Sequence, residues 1–242
     1  VPEPVLADIK AAFVEHHMLC FRDQELDDAA LVRFSTLFGP LEEYPERDKT
    51  KERIEVYHVA NVSREGEHLA ADDPQVVYQR NNARWHTDSS YRYEPSLASI
   101  LYGIEVLPDE ADGGETAFSN MLEAYAALDE TMKRRLEPLH QVHSYEAIRR
   151  LEPTLPPPSR AEIDGLPPVT HPVVRVHGDR GGARSLYFTA NTSQEIGGGT
   201  LAEGQALHRW LVDHVSRPEF CYAHAWSLRD LVMWDNRVLL HR

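Results

Sequence analysis

From about residue 54 onward the sequence is cut into short runs of β-forming residues by turn formers, a pattern that points to layers of small strands. The runs are Ile54 to Val62, Leu97 to Val106, Pro172 to Val176, Ser185 to Ala190, Glu219 to Trp226 and Asp230 to Trp234. Leu97 to Val106 is almost unbroken in apolar character, which suits a strand covered on both faces. Ahead of these runs the chain reads as helical. Pro4 to Met18 carries Val5, Leu6, Ile9, Ala12 and Phe13 at the spacing of one helical face, and Leu19 to Phe21 follows as a short strand. Asp27 and Asp28 can cap a second helix with Leu31, Val32, Phe34, Leu37 and Phe38 on its apolar face, stopped by Gly39-Pro40.

Two helical stretches interrupt the strands: Met121 to Leu136, and Leu201 to Val215 with Leu207, Trp210, Leu211 and Val215 on one face. Leu151 to Pro168 holds Pro153, three prolines from Pro156, and Pro167-Pro168, so it is expected to be an irregular loop over the surface or the mouth of a site. Many short strands with a few outer helices predict a mainly β protein with flanking helices. Among such folds the jelly roll, or double-stranded β-helix, is the one that hosts a metal in its open end.

No Gly/Ser linker divides the 242 residues, and a chain of this length can bury one substantial core, so residues 1–242 are expected to form a single domain. The net charge of -14 argues against a nucleic-acid partner, which requires a basic face. It does not exclude a small anionic substrate, because a few Arg or Lys in a cleft set the local field. Cys20 and Cys221 each stand in an apolar run without a neighbouring cysteine, as free thiols in a reducing compartment do. No window approaches the ~20 apolar residues of a bilayer span and no signal-peptide pattern is visible, so the expectation is a cytoplasmic protein without a membrane partner. A homo-oligomer is compatible with all of this.

Thirteen histidines are too many for any one to signal a ligand alone. At Trp85-His86-Thr87-Asp88 the spacing adds information, because residues i and i+2 of a strand share a face and can meet one ion together. A third ligand must come from elsewhere. His241 is the preferred one, following the strand-like Leu231 to Trp234 and the turn Asp235-Asn236. Two imidazoles and one carboxylate on a single face leave positions open on Fe(II) for oxygen chemistry, and zinc accepts the same three donors. The remaining histidines have weaker claims: His16-His17 ends a helix, His140 and His143 do not share a strand face, His208, His214 and His224 read as structural, and His171 and His177 flank a strand and are candidates for lining a cavity.

The stretches WHTD at 85–88, GGET at 113–116, HPVVRVH at 171–177 and WDNRVLLHR at 234–242, with LFGPLEEYP at 37–45, resemble the taurine/dichlorophenoxyacetate dioxygenases over nearly the whole chain. These are 2-oxoglutarate-dependent Fe(II) enzymes on a jelly-roll core. The resemblance implies Fe(II) as cofactor, with 2-oxoglutarate and O2 as co-substrates. It implies His86, Asp88 and His241 as the iron ligands, and Thr116 as a hydrogen-bond donor to the 2-oxoglutarate carboxylate. Trp234 and Asn236 match the motif that leads to the distal histidine, and their expected part is to shape the strand end. The family also anchors 2-oxoglutarate with an arginine downstream of the distal histidine. Neither Arg237 nor Arg242 matches that place, so the expectation is a C-terminal tail past Arg242 that carries it.

By the same resemblance the substrate is a small organic anion. The run HTDSSY at 86–91, with GGET and HPVVRVH, is closer to the aryloxyacetate-cleaving branch than to the taurine branch, and a sulfonate or sulfate ester is the other candidate. Asn82 sits where family members contact substrate. Tyr44 and Arg47 stand where the taurine branch has a histidine and a tyrosine, and Arg47 could neutralise a substrate carboxylate. Tyr91, Tyr93 and Phe188 are candidates for aromatic walls. Two readings from other classes stay open: a zinc-dependent hydrolase using the same ligands, and a non-catalytic jelly-roll binding module.

Overall fold

A computed structural model describes residues 1–42, 55–63, 66–108 and 110–242; Tyr44, Arg47 and Ile54 lie outside them. Its strands, in chain order, are β1 (Met18–Phe21), β2 (Ala98–Tyr102), β3 (Thr116–Asn120), β4 (His140–His143), β5 (Val169–Pro172), β6 (Val174–His177), β7 (Ala183–Leu186), β8 (Cys221–His224), β9 (Leu231–Asp235) and β10 (Leu239–His241). The residues group into two compact units. One comprises 1–59, 96–115 and 225–235; the other comprises 60–95, 116–224 and 236–242.

In the first unit β9 is the central strand of an antiparallel sheet, flanked by β1 and β2. All five of its residues are buried, which is why Leu231 to Trp234 is apolar without alternation. The opening helices follow the sequence closely. Helix α1 (Glu3–His16) ends where His17 takes a left-handed conformation (φ 66°), and its one buried residue is Phe13. Helix α2 (Asp28–Ser35) starts on Asp27, whose carboxylate accepts from the Ala30 N–H. Phe21, Phe34 and Phe38 then form a chain of edge-on rings, 5.7 and 5.2 Å apart.

The second unit holds the three-stranded sheet β10-β3-β8 and the ribbons β4-β5 and β6-β7, all antiparallel. Its core gathers Trp85, Met121, Leu136, Leu186, Phe188 and Leu240 against Leu207, Leu211 and Val215 of the helix Leu201–Val215. A capping box between Thr200 and Glu203 starts that helix. Trp210, expected on the same buried face, is 41% exposed and instead stacks on His214 at 5.2 Å.

Four expectations are corrected. Residues 55–62 form no strand beyond one bridge, Val62 to His68, because the run has no partner of matching length among the described residues. The stretch Met121 to Leu136 is two helices, Met121–Ala126 and Glu130–Leu136, since Asp129 caps a new start by accepting from Met132 N–H. The proline-rich stretch contains a helix, Arg160–Gly165, because the prolines flank a Ser159/Glu162 capping box instead of interrupting it. The class is accordingly mixed helix and sheet, in small sheets without a closed barrel among the described residues, rather than mainly β. No described helix is long and apolar enough to cross a membrane. Both cysteines are free and half-buried.

Gly204, inside the helix Leu201–Val215, lies against the backbone of Ile196: a Cβ there would stand 2.4 Å from the Ile196 carbonyl oxygen. Helix propensity alone predicts that Gly204→Ala stabilises by up to about 1 kcal/mol. The contact reverses the sign. A loss of about 1–3 kcal/mol, the usual cost of overpacking, is expected in a urea unfolding titration.

Candidate metal centre

His86 and His241 face each other across a two-hydrogen-bond bridge: His86 N–H donates to His241 O at 3.0 Å and His241 N–H donates to His86 O at 2.8 Å. Residues opposed in this way present their side chains on the same face. The two imidazoles accordingly lie 4.1 Å apart, centroid to centroid. The Trp85 to Asp88 segment is not the strand that the i, i+2 argument supposes. His86 is a single bridge residue, Asp88 enters a turn, and Ser89 after it has a left-handed backbone (φ 55°). The bridge alone suffices to fix the face.

The Asp88 carboxylate completes the group, with Oδ1 at 3.8 Å from His86 Nε2 and Oδ2 at 3.5 Å from His241 Nε2. One donor atom from each residue lies within 4.8 Å of the others. The imidazoles are buried, while the Asp88 side chain is about a third exposed (36%), so the group opens on the carboxylate side. Asn236 steadies this segment: its backbone carbonyl accepts from the Thr87 hydroxyl at 2.6 Å and its side-chain oxygen from Asp88 N–H at 3.4 Å.

Protonation favours a metal ligand. His86 Nδ1 lies 2.8 Å from the Arg84 carbonyl, which can only accept, so Nδ1 carries the proton and Nε2 keeps its lone pair. Burial, reinforced by His241 and opposed by Asp88, lowers the His86 pKa to about 4. The ring is neutral near pH 7. The 3.5 and 3.8 Å gaps exceed a direct hydrogen bond, and they suit donors that each stand about 2.1 Å from one shared ion. The residues present fit a divalent metal.

Thr116 begins β3. Phe118, two residues on, is the register partner of His241, so Thr116 and His241 share a sheet face. The model of the taurine catabolism dioxygenase TauD, TfdA family matches residues 2–242. The chain belongs to this family of 2-oxoglutarate-dependent dioxygenases. It is 35% identical over 239 residues to the alpha-ketoglutarate-dependent 2,4-dichlorophenoxyacetate dioxygenase of Burkholderia sp. (strain RASC), covering 97% of this chain and 78% of that one. It is 32% identical over 242 residues to the (S)-phenoxypropionate/alpha-ketoglutarate-dioxygenase of Sphingobium herbicidovorans, covering 97% and 79%. The crystal structure of AAD-2 in complex with Mn(II) and N-oxalylglycine superposes with a TM-score of 0.86 at 32% identity, covering 100% of this chain and 82% of that one. Enzymes of the family work with Fe(II), 2-oxoglutarate and O2.

The other site candidates of this family member separate. Asn82 lies half-buried in the 3-10 turn Arg80–Ala83, while its neighbour Asn81 is buried and accepts from Arg84 at 2.8 Å. Tyr91 is half-buried with its ring edge-on to Tyr145 at 5.3 Å. Tyr93 is 85% exposed. Phe188 is a correction: it is fully buried in the hydrophobic core, with its ring edge-on to His208. Arg47 lies outside the described residues.

Tyr187, one residue earlier, is also buried and stands in a polar cluster that sequence reading did not assemble. His171 Nε2 is 3.0 Å from Ser90 O and 3.1 Å from Arg92 O, so Nε2 carries the proton. Its Nδ1 is then free to accept from Arg175 at 3.1 Å, and Arg175 lies over the Tyr187 ring at 3.3 Å. The His143 ring meets those of His171 (5.1 Å) and Tyr187 (5.9 Å). Alternation along HPVVRVH, which puts His171, Val173 and Arg175 in phase, was the available signal.

Burial, with smaller contributions from His171 and Arg175, lowers the His143 pKa to about 3. Below pH 6.5 the unfolded chain takes up a proton that the folded chain refuses, so stability falls as pH drops from about 6.5 toward 3. In His143→Gln the dependence of melting temperature on pH between 6.5 and 4 is expected to be shallower than in the wild type.

Proposed function

We propose that this chain hydroxylates a small organic anion in a reaction that consumes 2-oxoglutarate and O2, with His86, Asp88 and His241 holding Fe(II). The observation that carries the assignment is the convergence of two imidazoles and one carboxylate, donor atoms within 4.8 Å, on one open-sided group. Two histidines and a carboxylate on one face are the donor set of non-haem Fe(II) oxygenases. When bound, the iron supplies the oxidising chemistry by which 2-oxoglutarate becomes succinate and CO2 and one oxygen atom reaches a substrate C–H bond.

The side chains of this protein supply position. Arg84 O holds His86 in the tautomer that presents Nε2, and Asn236 holds the backbone that presents Asp88. Thr116 is the proposed donor of a hydroxyl proton to a carboxylate oxygen of 2-oxoglutarate, and the sheet face it shares with His241 supports that reading. Asn82 and Tyr91 remain proposed substrate contacts. The solvent-facing side of Asp88 is the side from which substrate would approach.

For the substrate, aryloxyalkanoates are favoured by the relatives that act on dichlorophenoxyacetate and phenoxypropionate, with sulfate esters next. Hydroxylation of the carbon beside an ether oxygen gives a hemiacetal, which collapses to a phenol and an oxo acid. The match over residues 2–242 supports one dioxygenase domain, and the likeness to solved dioxygenases supports reading the small sheets as parts of a jelly roll.

Anaerobic addition of Fe(II) and 2-oxoglutarate is expected to raise a weak visible absorption band, and aryloxyacetate with O2 to release succinate. His86→Ala and Asp88→Ala lose both. Activity with zinc alone, without 2-oxoglutarate or O2, would overturn the reading in favour of a hydrolase. Thr116→Val, which removes one hydrogen bond to a charged group, is expected to raise the half-saturating 2-oxoglutarate concentration about tenfold while leaving metal binding intact.

A further inference from the structure

Arg175 is a half-buried cation that meets no carboxylate among the described residues. Its polar contact is the neutral Nδ1 of His171 at 3.1 Å, and its guanidinium plane covers the face of Tyr187 at 3.3 Å. Among the described residues it takes part in no ion pair. Asp179, on the same cavity wall, pairs with Arg237 at 2.8 Å and with Arg180 at 3.3 Å. Burial depresses the Arg175 pKa, the mark of a charge held where water solvates it poorly. A buried charge of this kind is costly unless something of opposite sign meets it.

The surroundings have more hydrogen-bonding capacity than the protein fills. Arg175 and Arg237 line a cavity of about 450 Å³, together with His177 and Val174, which is room for a small organic molecule. In the register of β6 and β7, Arg175 opposes Ser185, and Tyr187 follows just past the end of β7. His143 Nε2, in the same ring cluster, is buried and has no hydrogen-bond partner among the described residues. The cluster is anchored beside the metal centre. His171 Nε2 donates to the carbonyl of Ser90, two residues past Asp88, and the Asp88 charge acts on the Tyr187 hydroxyl.

Resting on the dioxygenase reading, we infer that Arg175 is a ligand-recognition residue: its guanidinium, pre-oriented by His171 and Tyr187, binds the carboxylate of a small anion in the cavity that it lines with Arg237. A flat guanidinium with its stacked face fixed offers its free edge to both oxygens of a carboxylate. Two molecules of this enzyme's reaction carry that group, 2-oxoglutarate and an aryloxyalkanoate. The cluster serves one of them.

The test is calorimetric binding to Mn(II)-loaded protein, which involves no turnover. N-oxalylglycine stands in for 2-oxoglutarate; phenoxyacetate, with phenoxyacetamide as its uncharged control, is then added to the N-oxalylglycine complex. In Arg175→Gln, N-oxalylglycine is expected to weaken at least tenfold if the residue reads the co-substrate. If it reads the substrate, phenoxyacetate weakens at least tenfold, the preference over the amide disappears and N-oxalylglycine is unaffected. A merely structural arginine would not abolish one charge preference selectively. Arg175→Lys keeps the charge and decides the matter should the Gln variant fail to fold: at least fivefold weakening of one anion is expected. Binding of both anions within twofold of wild type in a folded variant overturns the proposal. Wild-type protein that takes neither probe overturns the metal-centre reading itself, and the Arg175 proposal falls with it.

Discussion

Two backbone hydrogen bonds between His86 and His241 bring together residues from opposite ends of the second unit, and the rest of the site is built around them. Backbone pairing is well suited to the task. It fixes distance and facing direction at once, so two imidazoles arrive on the same side without any side-chain contact having to choose the geometry. Asp88 needs only the two-residue step from His86 to join them. The left-handed Ser89 then turns the chain away, so that one side of the group stays open.

The polar surroundings of the centre decide protonation more than charge does. Burial keeps His86 neutral, and one carbonyl at Arg84 selects which nitrogen holds the proton. The same logic recurs at His171, where two carbonyls select the tautomer that accepts from Arg175. In both cases a backbone acceptor sets what the far side of the ring can do. A total charge of -14 is therefore no guide to the inside of the molecule, where cations such as Arg175 stand among neutral rings.

Elements carried by local rules were legible. Asp27 and Thr200 start helices because their side chains cap them, and β9 is apolar without alternation because both of its faces are covered. Elements that depend on a distant partner were not. Residues 55–62 have strand composition yet pair only once among the described residues, at Val62, and Arg160–Gly165 is helical because its prolines lie outside the capping box. Phe188 was misread for a related reason: composition marks an aromatic near a site, but only packing shows that its ring lies in the core against His208.

By itself the sequence singled out three candidate donors, since only identity and motif context were needed to pick His86, Asp88 and His241, and it pointed to the family through motifs spread along the chain. Tertiary structure decided that the donors meet, through a bridge no local pattern encodes. It also decided which buried polar groups stand beside them. The physical reason is one of range: caps, turns and apolar periodicity act within a few residues, whereas a bridge between positions 86 and 241 and a stack of Arg175 on Tyr187 exist only once separate segments have packed.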